Sequence, residues 1–301
     1  MKKMNSTIMT TTSNNFARFF VQDLKRVLLI SVIASAVSTS IIAIPKRVPK
    51  KLAPDVHYEF SLNEIHVKTG WYYENSDFTP DEKTAYQLIT NAYANYKTSV
   101  MIPVLQKDSL SRVYRAIFYD HPELFYIDAG DYIVSGNSME YRCKYLYSKE
   151  TSMEIRETIE NEANAVLQSC SGTQKDVIDF ISRYIIENTR YDNKESKEDQ
   201  TIVSVFLDHE TVCAGYSKTL QYYCDKLGIP CIYVVGYING SFEDHSWNLI
   251  YINGQWTEMD LTWADPVFDD GEGIDYSYLF QPTNKMYDHR RSLEYAYPIA
   301  K

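Results

Sequence analysis

Three residues in the second half of the chain have the types and the surroundings for nucleophilic catalysis: Cys213, His245 and Asp260. Thr211 and Val212 precede Cys213. After it Ala214, Leu220, Tyr223, Cys224 and Leu227 recur at helical spacing until Gly228 and Pro230 stop the run. Cys213 is therefore expected in the first turn of a helix. Unpaired backbone N–H groups and the positive end of the helix dipole favour a thiolate there, which turns a weak nucleophile into a strong one. Such a thiol still needs a base to take its proton, and the base needs a carboxylate to fix its tautomer.

The elements that must bring base and acid together are two strands. His245 to Ile252 (HSWNLIYI) and Gln255 to Thr262 (QWTEMDLT) flank Asn253-Gly254, the dipeptide most strongly associated with a two-residue hairpin turn. With those two residues as the loop, Ile252 opposes Gln255, Trp247 opposes Asp260 and His245 opposes Thr262. His245, Trp247, Asp260 and Thr262 then share one face of the sheet. His245 and Asp260 become diagonal neighbours about 7–8 Å apart, within reach of each other's side chains.

The strings TVCAGYSKTLQYYCDKLGIPCIYVVGY and DHSWNLIYINGQWTEMDLTWADP resemble the core of the transglutaminase-like superfamily. Three motifs fall in order: Cys-x-Gly-Tyr-Ser from Cys213, His-x-Trp-Asn from His245, and Trp-x-x-x-Asp-x-Thr-Trp from Trp256. The resemblance covers residues 173 to 266. It implies a papain-like arrangement in which Cys213 is the nucleophile, His245 the general base and acid, and Asp260 the orienting carboxylate. The fold class it implies is α+β, a helix bearing Cys213 packed on an antiparallel sheet bearing His245 and Asp260. No cofactor or metal is expected. Animal transglutaminases of this family place a Trp upstream of the nucleophile, whereas here no Trp lies between Trp71 and Trp247, which weakens a cross-linking reading. Asn188 and Tyr191 are conceivable side-chain oxyanion donors instead.

Composition is that of an ordinary globular chain: 301 residues, 45% hydrophobic and 23% charged. Residues 1–51 hold nine Lys and Arg against one acid, leaving 21 basic and 39 acidic groups, a net −18, on residues 52–301. An acidic body argues against nucleic acid as a partner. The 26 Tyr are expected mainly as half-buried amphipathic surface and core filling.

Along the chain, residues 1–51 read as a signal or anchor segment followed by a basic stalk. Val27 to Ile44 is uncharged over 18 residues, just enough to span a bilayer as a helix, and Ala34-Ser35-Ala36 resembles a cleavage site. An extracytoplasmic protein is expected, secreted or held at the membrane by residues 27–44 alone. Residues 52–172 read as a smaller mixed α/β accessory domain. A helix starts at Thr79-Pro80-Asp81-Glu82 and another near Asp108, and strands flank Ser135-Gly136-Asn137. His121-Pro-Glu-Leu-Phe125 is similar to a run ahead of the core in bacterial members of the family. Residues 173–301 read as the catalytic core with its C-terminal tail; a helix from about Thr151 precedes it and one from Thr173 opens it. The acidic loop Asp265, Asp269, Asp270, Glu272, Asp275 fits no EF-hand spacing.

Cys213 and Cys224 lie about 16 Å apart by the helical rise, too far for a disulfide. Cys143, Cys170, Cys224 and Cys231 show no C-x-x-C spacing and read as small buried apolar residues. His57, His66, His121, His209 and His289 show no carboxylate-backed partner in the pattern and read as structural. The function expected is thioester-forming acyl transfer on protein or peptide amides, with surface proteins or cell-wall peptides as partners. Water as acceptor would make it a peptidase or amidase, and an amine a transglutaminase. A non-catalytic binding or scaffolding module of the same fold is the alternative.

Overall fold

A computed structural model describes residues 69–192, 196–239, 244–265 and 273–301. The signal or anchor segment, the stalk, His57 and His66, and Asp269, Asp270 and Glu272 of the acidic loop lie outside them. Among the described residues no helix is long and apolar enough to cross a membrane.

The first part of the described chain begins with α1 (Trp71–Asn75) and α2 (Pro80–Ala94). The start of α2 is the capping box read from sequence: Glu82 N–H donates to Thr79 Oγ1 and the Thr79 backbone N–H donates to the Glu82 carboxylate. Strand β1 (Ser99–Ile102) and helix α3 (Lys107–Asp120) follow. Then β2 (Ile127–Ser135) and β3 (Ser138–Tyr145) turn back on each other through Gly136-Asn137, as expected. β1 joins them in a three-stranded antiparallel sheet of order β1-β3-β2. It is too short and too mixed in character to have stood out in the sequence.

Helices α4 (Lys149–Ser169) and α5 (Gln174–Asn188) lead to the short parallel pair β4 (Arg190–Tyr191) and β5 (Glu210–Thr211). Then comes α6 (Cys213–Leu227), which begins at Cys213 and ends on Gly228 in the left-handed conformation. From Ala214 to Cys224 every residue of α6 is buried. The helix is therefore central, and its polar side chains need partners. Two of them meet the C-terminal carbonyls of α3: Lys218 Nζ donates to Phe118 O, and Gln221 Nε2 donates to Tyr119 O at 2.9 Å. Those carbonyls have no partner within their own helix, so the contact satisfies both elements at once.

On the other side α6 packs on a five-stranded antiparallel sheet of order β10-β6-β7-β8-β9. Its strands are β6 (Cys231–Ile238), β7 (Asp244–Ile252), β8 (Gln255–Met259), β9 (Leu279–Gln281) and β10 (His289–Arg291). Asn253 and Gly254 both have positive φ, 51° and 84°, the signature of the tight hairpin turn whose twist suits the flanking strands. The register from Ile252–Gln255 to Asn248–Met259 is the one the turn predicts. The strand expectation fails beyond it: residues 261–264 form a helical turn, α7 (Leu261–Ala264), so Thr262 does not oppose His245. The reason is local, because Asp260 Oδ1 accepts the Trp263 N–H at 3.1 Å and caps that turn.

A buried polar network locks the sheet. Glu258 accepts the Trp247 indole N–H at 2.7 Å and the Thr283 hydroxyl at 2.8 Å, and pairs with Arg291 of β10. Trp247 to Glu258 and His245 to Asp260 are parallel diagonals on one face. Gly236 of β6 permits the approach of β10, since a Cβ there would lie 2.1 Å from Arg290 O and 2.8 Å from the Trp247 ring. Glu258→Ala strands an indole N–H and a guanidinium in the interior. Urea unfolding of the full chain should show a loss of about 3 kcal/mol or more, since the remaining cation is uncompensated.

Candidate active site

Cys213 is the first residue of α6, and no side chain caps that end of the helix. The segment before it is held rigidly: Thr211 Oγ1 donates to Asp199 O at 3.1 Å and lies 2.6 Å from Ser204 Oγ. Gly215 lies against the same threonine, for a Cβ there would come within 1.9 Å of Thr211 Oγ1. Every other residue of the Cys-x-Gly-Tyr-Ser motif has a comparable task. The Tyr216 hydroxyl donates to Asp265 Oδ2 at 2.5 Å, and Ser217 O accepts from Asn248 Nδ2 at 3.0 Å. The last bond ties α6 to the His-x-Trp-Asn strand, so it couples the placement of Cys213 to that of His245.

His245 lies on β7, buried, with its ring stacked 5.8 Å from Trp247 at an interplanar angle of 22°. Its Nε2–H donates to Asp260 Oδ2 at 2.7 Å. The other ring nitrogen, Nδ1, is not engaged by the carboxylate. Cys213 and His245 are close enough to shift each other's protonation, and Ser246 acts on the Cys213 thiol as well.

Burial pushes the Cys213 thiol up, but the His245 hydrogen bond and charge and the two Ser246 hydrogen bonds outweigh it and leave the thiol below its ordinary value. Burial pushes the His245 imidazolium down, and the Asp260 charge and hydrogen bond reverse this and raise it to about 10. Asp260 has no solvent exposure; burial would raise it, yet His245 and His289 hold it well below the usual carboxylate range. Both shifts run in the direction that favours a thiolate beside an imidazolium.

Sequence reasoning missed His289. It was read as structural, yet its Nε2 lies 2.7 Å from the same Asp260 oxygen that receives His245, and its Nδ1 lies 2.8 Å from Asp288 Oδ1. It reaches the site because β10 pairs with β6, His289 opposite Ile238. His121 also has partners, Glu123 at 2.9 Å and the Tyr86 hydroxyl at 2.8 Å, but they belong to the segment around α2 and α3. His209 stays out of the site, its carbonyl accepting from the Arg190 N–H at 2.9 Å. Asn188 turns back along its own helix, its side-chain amide donating to Tyr184 O at 2.8 Å. Tyr191 sits on β4 beside Thr211, two residues from the nucleophile. The five cysteines are unbridged.

The nitrogens of His245 and His289 and an Asp260 oxygen lie within 4.8 Å of one another, a spacing that a metal ion would also suit. Here 2.7 Å hydrogen bonds engage these atoms. Asp265 and Asp275 of the acidic loop are engaged with Tyr216 and with the Ser277 N–H.

Residues 161–261 match the family model of the transglutaminase-like superfamily. The chain is also 32% identical over 75 residues to kyphoscoliosis peptidase of Mus musculus, and equally to that of Homo sapiens. The alignment covers 22% of this chain and 11% of each relative. Among solved structures, a TGase crystal structure is similar over 59% of this chain and 53% of its own, at 13% identity and a TM-score of 0.34. The matched residues 161–261 hold Cys213, His245 and Asp260, so the likeness to the transglutaminase-like superfamily falls on the helix that opens on Cys213 and the hairpin that brings His245 onto Asp260.

Proposed function

We propose that the protein is a cysteine-dependent acyl-transfer enzyme acting on protein or peptide amides. The observation that supports this reading most is the commitment of His245 Nε2 to a fully buried Asp260, which leaves Nδ1 for the Cys213 thiol at the uncapped start of α6. The Cys213 thiolate attacks the amide carbonyl carbon, and the oxyanion that forms is met by the Cys213 backbone N–H. As the C–N bond breaks, His245 gives its proton to the leaving amine and a thioester remains. His245 then takes a proton from the acceptor, which attacks the thioester and releases the thiolate. We take water as the acceptor, on the absence of a Trp between Trp71 and Trp247. The relatives in mouse and man are peptidases by name, which agrees with that choice. We further propose that the substrates are surface proteins or cell-wall peptides, met after export directed by residues 27–44.

Iodoacetamide treatment of the full chain tests the thiolate. Cys213 should be labelled well below the ordinary thiol value of about 8.5, and His245→Ala should cut that labelling about tenfold or more at neutral pH. Cys143 and Cys170, which burial pushes up to about 11, and Cys231, which burial pushes higher, should stay unlabelled. An ordinary titration of Cys213 that the variant leaves unchanged would favour a binding module. Turnover of a peptide amide should fall on the acid side as the thiol regains its proton and on the alkaline side near the His245 value of about 10. Asp260→Asn removes the anion that raises His245. It should move the alkaline limb to lower pH and reduce kcat/KM by roughly 10²–10⁴.

A further inference from the structure

Orienting one catalytic imidazole requires one carboxylate oxygen, yet Asp260 Oδ2 receives two imidazoles, each at 2.7 Å. The second, His289, is itself clamped. Its Nδ1 faces Asp288 Oδ1 at 2.8 Å, Asp288 Oδ2 accepts the Tyr278 hydroxyl at 3.0 Å, and Tyr278 O accepts the Asp260 N–H at 2.9 Å. The contacts close a ring from Asp260 back to Asp260. The His289 side chain is 1% exposed and lies among Trp247, Trp263 and Tyr278, with ring centroids 4.9, 5.2 and 5.9 Å away. Packing alone would be served by an apolar ring at this place, without a carboxylate on each nitrogen.

We propose that His289 is a positioning residue of the acyl-transfer site: held by Asp288, it fixes the Asp260 oxygen on which His245 depends and sets how firmly His245 keeps its proton. The proposal rests on reading Cys213, His245 and Asp260 as the reacting centre.

Two physical effects follow from the geometry. The first is orientation. With Oδ1 on the Trp263 N–H and Oδ2 shared by two imidazoles, the Asp260 carboxylate cannot turn about its terminal bond without losing a donor. The second is sharing. Asp260 Oδ2 accepts from two imidazoles, and an oxygen that accepts twice binds each donor less strongly than one that accepts once. His245 is then held less firmly as imidazolium than by an unshared carboxylate, and it yields its proton to a leaving amine more readily. The titratable groups facing His289 are Asp260 at the β8–α7 junction, Asp288 before β10, His245 on β7 and the Tyr278 phenol.

The test uses the full chain with ¹⁵N-labelled histidine, and reads the pH at which the His245 ring loses its proton together with the pH profile of Cys213 alkylation by iodoacetamide. His289→Gln keeps an amide donor for Asp260 but a weaker one, no longer held from behind by Asp288. It should keep most of the alkylation rate and move the His245 transition to higher pH. His289→Phe removes the donor as well and should cut Cys213 alkylation in mildly acid solution by about tenfold, part of what a positioned acid–base group supplies. If the Phe variant does not fold, Asp288→Asn carries the test at the partly exposed end of the clamp and should move the His245 transition upward too. Folded variants with the wild-type His245 transition and the wild-type alkylation profile would overturn the proposal and leave His289 a packing residue. If wild-type Cys213 itself titrates as an ordinary thiol, the reading of the reacting centre fails first, and that failure is seen before any variant is made.

Discussion

A carboxylate with no exposure to solvent has to find its hydration among protein donors, and Asp260 finds three. His245 and His289 donate to one oxygen and the Trp263 N–H to the other. Each donor comes from a different element, so β7, β10 and α7 are all placed by the same charge. Leaving such an anion short of partners costs several kcal/mol, more than most single contacts in the molecule contribute. The carboxylate in turn keeps His245 protonated far above the usual imidazole range, and through His245 it lowers the Cys213 thiol.

Helix α6 places Cys213 against this arrangement. It is enclosed on every side from Ala214 to Cys224, and its polar residues are answered from without: Lys218 and Gln221 by the end of α3, Tyr216 by Asp265, and the Ser217 carbonyl by Asn248. Burial lowers the Lys218 ammonium to about 7, a sign of how little water reaches the body of the helix. The half-buried start of α6 is the contrast, where Cys213 stands on amides that no side chain caps. A helix fixed along its length presents its first residue with little freedom.

How much of this could be read from the chain depends on how local the determining contact is. Asn253-Gly254 fixes the hairpin register by its own backbone preference, and with it the meeting of His245 and Asp260. The capping box at Thr79 and the stop at Gly228 are likewise written within a few residues. Thr262 was misplaced because two local rules competed, and the cap supplied by Asp260 prevailed over continued strand. His289 was missed for the opposite reason. It joins the site through β10 on β6, a pairing between segments some fifty residues apart that no turn or period announces. The adjacent Asp288-His289 pair was the available signal, but nothing in the sequence places it beside Asp260.

The order of strands carries a consequence for stability. β6, β7 and β8 follow one another as a meander joined by short connections, whereas the outer edge of β6 is covered by β10, some fifty residues further on. Until β10 docks, Asp260 lacks the second imidazole on its carboxylate and Glu258 lacks Arg291. Two buried anions thus depend on one three-residue edge strand, and a chain cut short of β10 would leave both under-satisfied in the interior.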